Sequence, residues 1–213
     1  MLRIRRPMLV TLLFVAASCG GDIASPERAT TVTPALQRTV DGYTIDVRLQ
    51  GDTTLTTILV DPSVNASYSI DRTHKLWLRA GAICNPLTSG YGPRYWYEPC
   101  ESLMVPITIV AKSWRDDYGH PRIDFAPELR FTPLSGKREA AVLYMKDKKA
   151  VRDTTAVILY CPSNGGCYDE SLSDPDLVTR FDTRNGFVYR EIKHFSGYNV
   201  ALGRTGSTTA TEP

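Results

Sequence analysis

The feature that most limits how this chain can fold is a series of short apolar/polar alternations, each cut off by Gly, Pro, Asp, Asn or Ser. The segments YTIDVRL, TLTTILV, KLWLRA, VPITIVAKSW, AAVLYMK, TAVILYC, LVTRFDT and FVYREIKHF follow one another from Tyr43 to Phe195. A period of two sends successive side chains to opposite faces of a strand, so each segment reads as a half-buried strand. No stretch between them carries a long amphipathic helix, and a parallel sheet would need crossover connections of about a dozen residues. The expected fold is therefore all-β, an antiparallel β-sandwich.

Ahead of the strands, Arg3, Arg5 and Arg6 precede the apolar run MLVTLLFVAAS, which ends at Cys19. A basic start, a short apolar centre and small residues before a cut define a secretory signal over residues 1–18, and the run is too short to persist as a spanning helix. Ala16, Ala17 and Ser18 before Cys19 resemble the lipobox of bacterial lipoproteins. That resemblance implies a lipid on Cys19, attachment to a membrane of the cell envelope and, with Gly20 in place of a retaining aspartate, a preference for the outer membrane. A plain cleaved signal is the alternative. Residues 19–38, small and polar with two prolines, read as a flexible tether, residues 39–203 as the sandwich domain, and residues 204–213 as a disordered tail.

The chain carries 25 basic and 23 acidic residues. Removing the leader takes away three arginines and no acid, so the basic excess belongs to the leader and the mature chain has a slight acidic balance. Nucleic acid is excluded as a partner, because binding it relies on a basic surface that releases phosphate counterions. Setting Cys19 aside leaves Cys84, Cys100, Cys161 and Cys167, an even number suited to an oxidising compartment. Their order along the chain suggests disulfides Cys84–Cys100 and Cys161–Cys167, each bracketing a loop rich in turn residues. Other pairings remain open, and the spacings match no common zinc finger.

KLWLRAGAI, VPITIVA, PELRFTP, AAVLYMK and HFSGYNVA, in that order, resemble the ZU-five domain, a β-sandwich module of zona-occludens proteins, ankyrins and netrin receptors that also occurs in secreted bacterial proteins. The likeness covers about residues 55–203. It implies a β-sandwich that works as a protein-interaction module. Two departures stand out: residues 85–99, NPLTSGYGPRYWYEP, form an insertion, and the family's glycine-rich opening is replaced by LVDPSVNASYSIDRTH.

Some members of that family cut their own chain at His-Phe-Ser, which implies a second role for His194, Phe195 and Ser196. Ser196 would attack the Phe195 carbonyl, His194 would take the proton, and water would open the resulting ester. A flat strand holds a serine hydroxyl off that line of attack, so a strained peptide is required, and Gly197 could supply the bend. The structural reading places His194 and Ser196 on one face of a final strand, with Phe195 filling the core.

Within the insertion, Tyr91, Tyr95, Trp96 and Tyr97, rimmed by Arg94 and Glu98, offer an aromatic platform for a protein partner or for sugar rings. Alternatively, half of these rings cover the end of the sandwich. His74 and His120 lie far apart with no ligand spacing, so no metal and no cofactor is expected. Asp174 and Asp176 in SLSDPD read as an Asp-Pro turn rather than a calcium loop. Asn65-Ala66-Ser67 is a glycosylation sequon that would matter only in a eukaryote. No nucleophile elbow, phosphate loop or dinucleotide pattern supports hydrolysis of an outside substrate.

Overall fold

The structure is a computed structural model that describes residues 36–40, 43–47, 53–133, 140–163 and 166–202. The leader, Cys19, the tether up to residue 35 and the expected tail lie outside the described residues. Among the described residues twelve strands are formed: β1 (Leu36–Val40), β2 (Tyr43–Val47), β3 (Thr54–Val60), β4 (Ala66–Ser69), β5 (His74–Leu78), β6 (Ile107–Arg115), β7 (Pro121–Ala126), β8 (Ala141–Lys146), β9 (Val157–Cys161), β10 (Arg180–Asp182), β11 (Phe187–Glu191) and β12 (Gly197–Ala201). β1 and β2 make a two-stranded hairpin, and β1 opens inside the stretch expected as tether. The remaining ten divide into two antiparallel five-stranded sheets, ordered β10-β11-β8-β5-β4 and β3-β6-β7-β12-β9.

The alternation explains why these sheets face each other. Leu76 and Leu78 on β5, Leu143 and Met145 on β8 and Val188 on β11 are buried, as are Ile58 and Val60 on β3, Ile109 and Ala111 on β6, Ile123 and Phe125 on β7, and Tyr198 and Val200 on β12. Together they form one hydrophobic cluster fed by both sheets, which is the core of a β-sandwich. Outward positions on the same strands, such as Lys75 and Tyr144, are exposed or half-buried. Cys84 is bonded to Cys100 and Cys161 to Cys167, as the order of the cysteines suggests.

Two differences from the sequence reading matter for the site. FVYREIKHF is a strand only as far as Glu191. The alternation runs on through Ile192 and His194 because it reports burial, whereas the pairing partner β8 ends at Ala141, to whose carbonyl the Ile192 amide donates at 3.1 Å. β7 was not among the expected strands although Pro121, Ile123 and Phe125 alternate inward and Arg122 and Asp124 outward.

Gly197 opens β12 between β7 and β9, paired with Asp124 on one side and Cys161 on the other. A Cβ there would lie 2.5 Å from both an Asp124 side-chain oxygen and the Cys161 carbonyl. The glycine is thus required by close approach within the sheet, and not by the bend that the sequence suggested. Gly197→Ala is expected to destabilise the fold by roughly 1–3 kcal/mol, the usual range for overpacking, because one of the two neighbours is backbone and cannot swing away. A urea midpoint equal to wild type would refute this.

Candidate functional site

β11 lies in one sheet and β12 in the other, so His194-Phe195-Ser196 sits on the chain's crossing between them. This segment is a bend held by an isolated bridge between His194 and Arg130, not a continuous strand as expected. The Phe195 amide donates to the Leu129 carbonyl at 2.7 Å, the Phe131 amide donates to the Lys193 carbonyl at 2.8 Å, and the Phe125 amide donates to the Ser196 carbonyl at 3.2 Å. These bonds tie the crossing to both neighbouring segments while all three side chains are buried. Phe195 fills the core, stacked on Phe125 and edge-on to Phe131 with centroids 4.5 and 4.9 Å away.

His194 is enclosed by rings. Trp96 stacks on it at 4.1 Å and Tyr160 meets it edge-on at 4.4 Å, with Tyr91 and Tyr198 further out. Its Nε2 faces Glu170 Oε1 at 3.2 Å, and its carbonyl accepts the Tyr198 hydroxyl at 2.7 Å. Burial, opposed by Glu170, pushes the imidazole below its ordinary value, so the ring is neutral and Nε2–H donates to the carboxylate. Glu170 is itself buried. Burial alone would raise its carboxyl, but the His194 hydrogen bond and the charges of Arg190 and Lys193 outweigh that and hold it down to about 2.

Arg190 projects from β11 into the core with no exposed surface. It is satisfied by Glu170 at 2.8 Å, the Ile158 carbonyl at 2.9 Å and the Glu191 carbonyl at 3.0 Å. Glu170 opens a short 3-10 turn (Glu170–Leu172) whose amides are met by Asp169, which is how a loop residue comes to face inward.

The insertion is a strap across this centre. Cys84–Cys100 closes it, and buried Arg130 donates to the carbonyls of Gly90, Tyr95 and Glu98 at 3.2, 2.6 and 2.5 Å. Trp96 is only 3% exposed because it is turned onto His194. Tyr91 is half-buried and donates its hydroxyl to the Phe195 carbonyl at 2.7 Å. Tyr97 is 63% exposed and hydrogen-bonds Asp174 and Lys193, while Arg94 is exposed and contacts the half-buried Tyr95 through its hydroxyl and ring. The five ligand candidates thus divide: Tyr91 and Trp96 face the buried centre, and Arg94, Tyr95 and Tyr97 line the outside.

The Ser196 side chain lies against the hydroxyls of Tyr91 and Tyr160, while the two His194 nitrogens are directed at Glu170 and, at 3.4 Å, the Tyr198 hydroxyl. His194 and Ser196 are adjacent without forming the expected base–nucleophile pair. The other histidines are tied to carboxylates elsewhere: His74 Nδ1 to Asp71 at 2.9 Å and His120 Nδ1 to Asp147 at 2.6 Å. Asp174 caps the Pro175–Leu177 turn by accepting from the Asp176 amide. Glu170, Arg190, Tyr160, Tyr198 and Arg130 are missing from the sequence reading. One signal pointed at them: Arg190 occupies an inward position of an alternating strand, and a charge there needs a buried counter-charge.

Fold and site together define an all-β sandwich cross-linked by two disulfides around a buried ionic and aromatic centre. No protein-family model, curated protein or solved structure matches the chain.

Proposed function

We propose that the chain is a lipid-anchored protein of the bacterial cell envelope whose β-sandwich serves as a non-enzymatic interaction module, held off the membrane by the tether after Cys19. The observation that carries this reading is the pairing of Cys84 with Cys100 and Cys161 with Cys167. Disulfides persist where a leader such as residues 1–18 delivers its cargo, in an oxidising compartment. Cys19 is the one cysteine outside these pairs, at the position where a lipoprotein leader is cut. Leu87 and Tyr97 on the strap, with Met104 and Val105 just beyond it, expose large apolar side chains, which favours another envelope protein as partner. The ZU-five resemblance points to the same class. Metabolic labelling with palmitate is expected to mark the wild type and not Cys19→Ser, and alkylation of the denatured, unreduced protein is expected to find no reactive thiol among the other four. Unlabelled protein with four reactive thiols would overturn the reading.

A second reading, self-processing between Phe195 and Ser196, is favoured by the Tyr91 hydroxyl on the carbonyl that would be attacked. A denaturing gel is expected to resolve a fragment beginning at Ser196 that is absent in Ser196→Ala. A carbohydrate-binding role gains no comparable support, since Trp96, the strongest stacking surface for a sugar, is committed to His194.

A further inference from the structure

We propose that Tyr91, carried in by the disulfide-closed strap, is the proton donor that polarises the Phe195 carbonyl for cleavage before Ser196. The strap then completes a catalytic centre that the tripeptide lacks alone. The inference rests on the self-processing reading. It starts from geometry: the Tyr91 oxygen lies 2.7 Å from the Phe195 carbonyl oxygen, within the range of a donor that stabilises a developing oxyanion. The ring is fixed, edge-on to Trp96 at 5.1 Å, and Trp96 is fixed in turn on His194. Gly90 lets the strap close this tightly, since a Cβ there would meet the Tyr95 ring at 2.4 Å. Burial, followed by the nearby Tyr160 and Glu128, raises the Tyr91 phenol above its ordinary value, so its proton stays available for donation.

The step balances without an outside oxidant or reductant. Ser196 Oγ bonds to the Phe195 carbonyl carbon, and charge moves to the carbonyl oxygen, where Tyr91 O–H meets it. The C–N bond to Ser196 then breaks, and the hydroxyl proton of Ser196 ends on its own nitrogen. The tyrosine hydroxyls of Tyr91 and Tyr160 beside Ser196 provide a path for that proton, a task His194 is poorly aimed to perform. Water hydrolyses the ester, leaving a Phe195 carboxylate and restoring the Ser196 hydroxyl. A cavity of about 230 Å³ lined by Ser89, Gly90, Tyr91, Glu128 and Arg130 lies beside the strap and has room for that water.

The test follows cleavage of the full chain by denaturing gel and intact mass, comparing wild type with Ser196→Ala, Tyr91→Phe and Tyr160→Phe. Tyr91→Phe is expected to slow cleavage by about 10²–10³-fold, the usual effect of removing one oxyanion donor. Tyr160→Phe, which takes one hydroxyl from the proton path and leaves the carbonyl contact in place, is expected to slow cleavage less than Tyr91→Phe does, and a larger loss than in Tyr91→Phe would overturn the carbonyl-donor role. Should Tyr91→Phe lose its near-ultraviolet circular dichroism, Tyr91→Gln carries the test by restoring a donor: faster cleavage than Tyr91→Phe is expected, and equal rates would overturn the role. Wild-type cleavage with an undiminished Tyr91→Phe rate overturns the inference and leaves self-processing standing. Folded, disulfide-bonded wild type that never cleaves removes both.

Discussion

Glu170→Gln is expected to destabilise the protein by about 3–5 kcal/mol, the cost of removing one partner from a buried ion pair. Arg190 would keep the carbonyls of Ile158 and Glu191 but would be left as a cation in the core with no opposing charge. The same substitution weakens the acceptor for His194 Nε2 and removes the charge facing Lys193 at 3.7 Å. The double variant Glu170→Gln/Arg190→Met is the informative control. Taking away both charges leaves no isolated cation, so it is expected to be more stable than Glu170→Gln alone. Urea denaturation of the three proteins decides the matter, and a single variant within about 1 kcal/mol of wild type would mean that water reaches the pair.

The pH dependence has the same sign for both members of this centre. The His194 imidazole is held below its ordinary value of 6.5, so its contribution is complete above that pH and is lost as the pH falls and the buried ring must accept a proton. The Glu170 carboxyl, held at about 2 against an ordinary 4.5, contributes fully above 4.5 and fails only as the pH falls toward 2. Acid therefore loosens the centre through both groups.

How much of this was legible in the sequence follows from what alternation can encode. TLTTILV became β3 residue for residue, since Ile58 and Val60 face a core and their neighbours do not. Alternation carries no record of which strand lies beside which, so the end of β11 at Glu191 and the passage of His194-Phe195-Ser196 between sheets were hidden until the partner segment Leu129–Phe131 was in place. The strap shows a similar limit. Its closure could be read from Cys84 and Cys100, and its rings from the string of Tyr and Trp. The inward turn of Tyr91 and Trp96 depends on Arg130, thirty residues or more along the chain, gathering three strap carbonyls. Glu170 is the sharpest case: a loop carboxylate in a polar stretch reads as solvated, and only Arg190, arriving from β11, gives it reason to be buried.

Phe195→Ala is expected to be as damaging as loss of the ion pair, by a different route. The ring has no exposed surface and sits where the chain passes from one sheet to the other, between Phe125 and Phe131. Truncation removes its burial and leaves a void whose walls are held apart by backbone hydrogen bonds on both sides, from Phe195 to Leu129 and from Phe125 to Ser196. Such a site collapses poorly, so the loss falls in the range of about 3–5 kcal/mol typical of Phe→Ala in cores. For a domain of this size that is a fall in Tm of roughly 10 °C. Phe187→Ala separates this from a general sensitivity to losing a ring. Phe187 lies on the outward face of β11, half-exposed, 6.2 Å from the Tyr144 centroid and under Lys146. Its removal is expected to cost about 1 kcal/mol, as for a cross-strand aromatic pair on a solvated face. Thermal denaturation of the two variants side by side measures the difference. If they proved equal, the crossing would not be the point at which the two sheets are joined, and the site built on it would lose its rigid support.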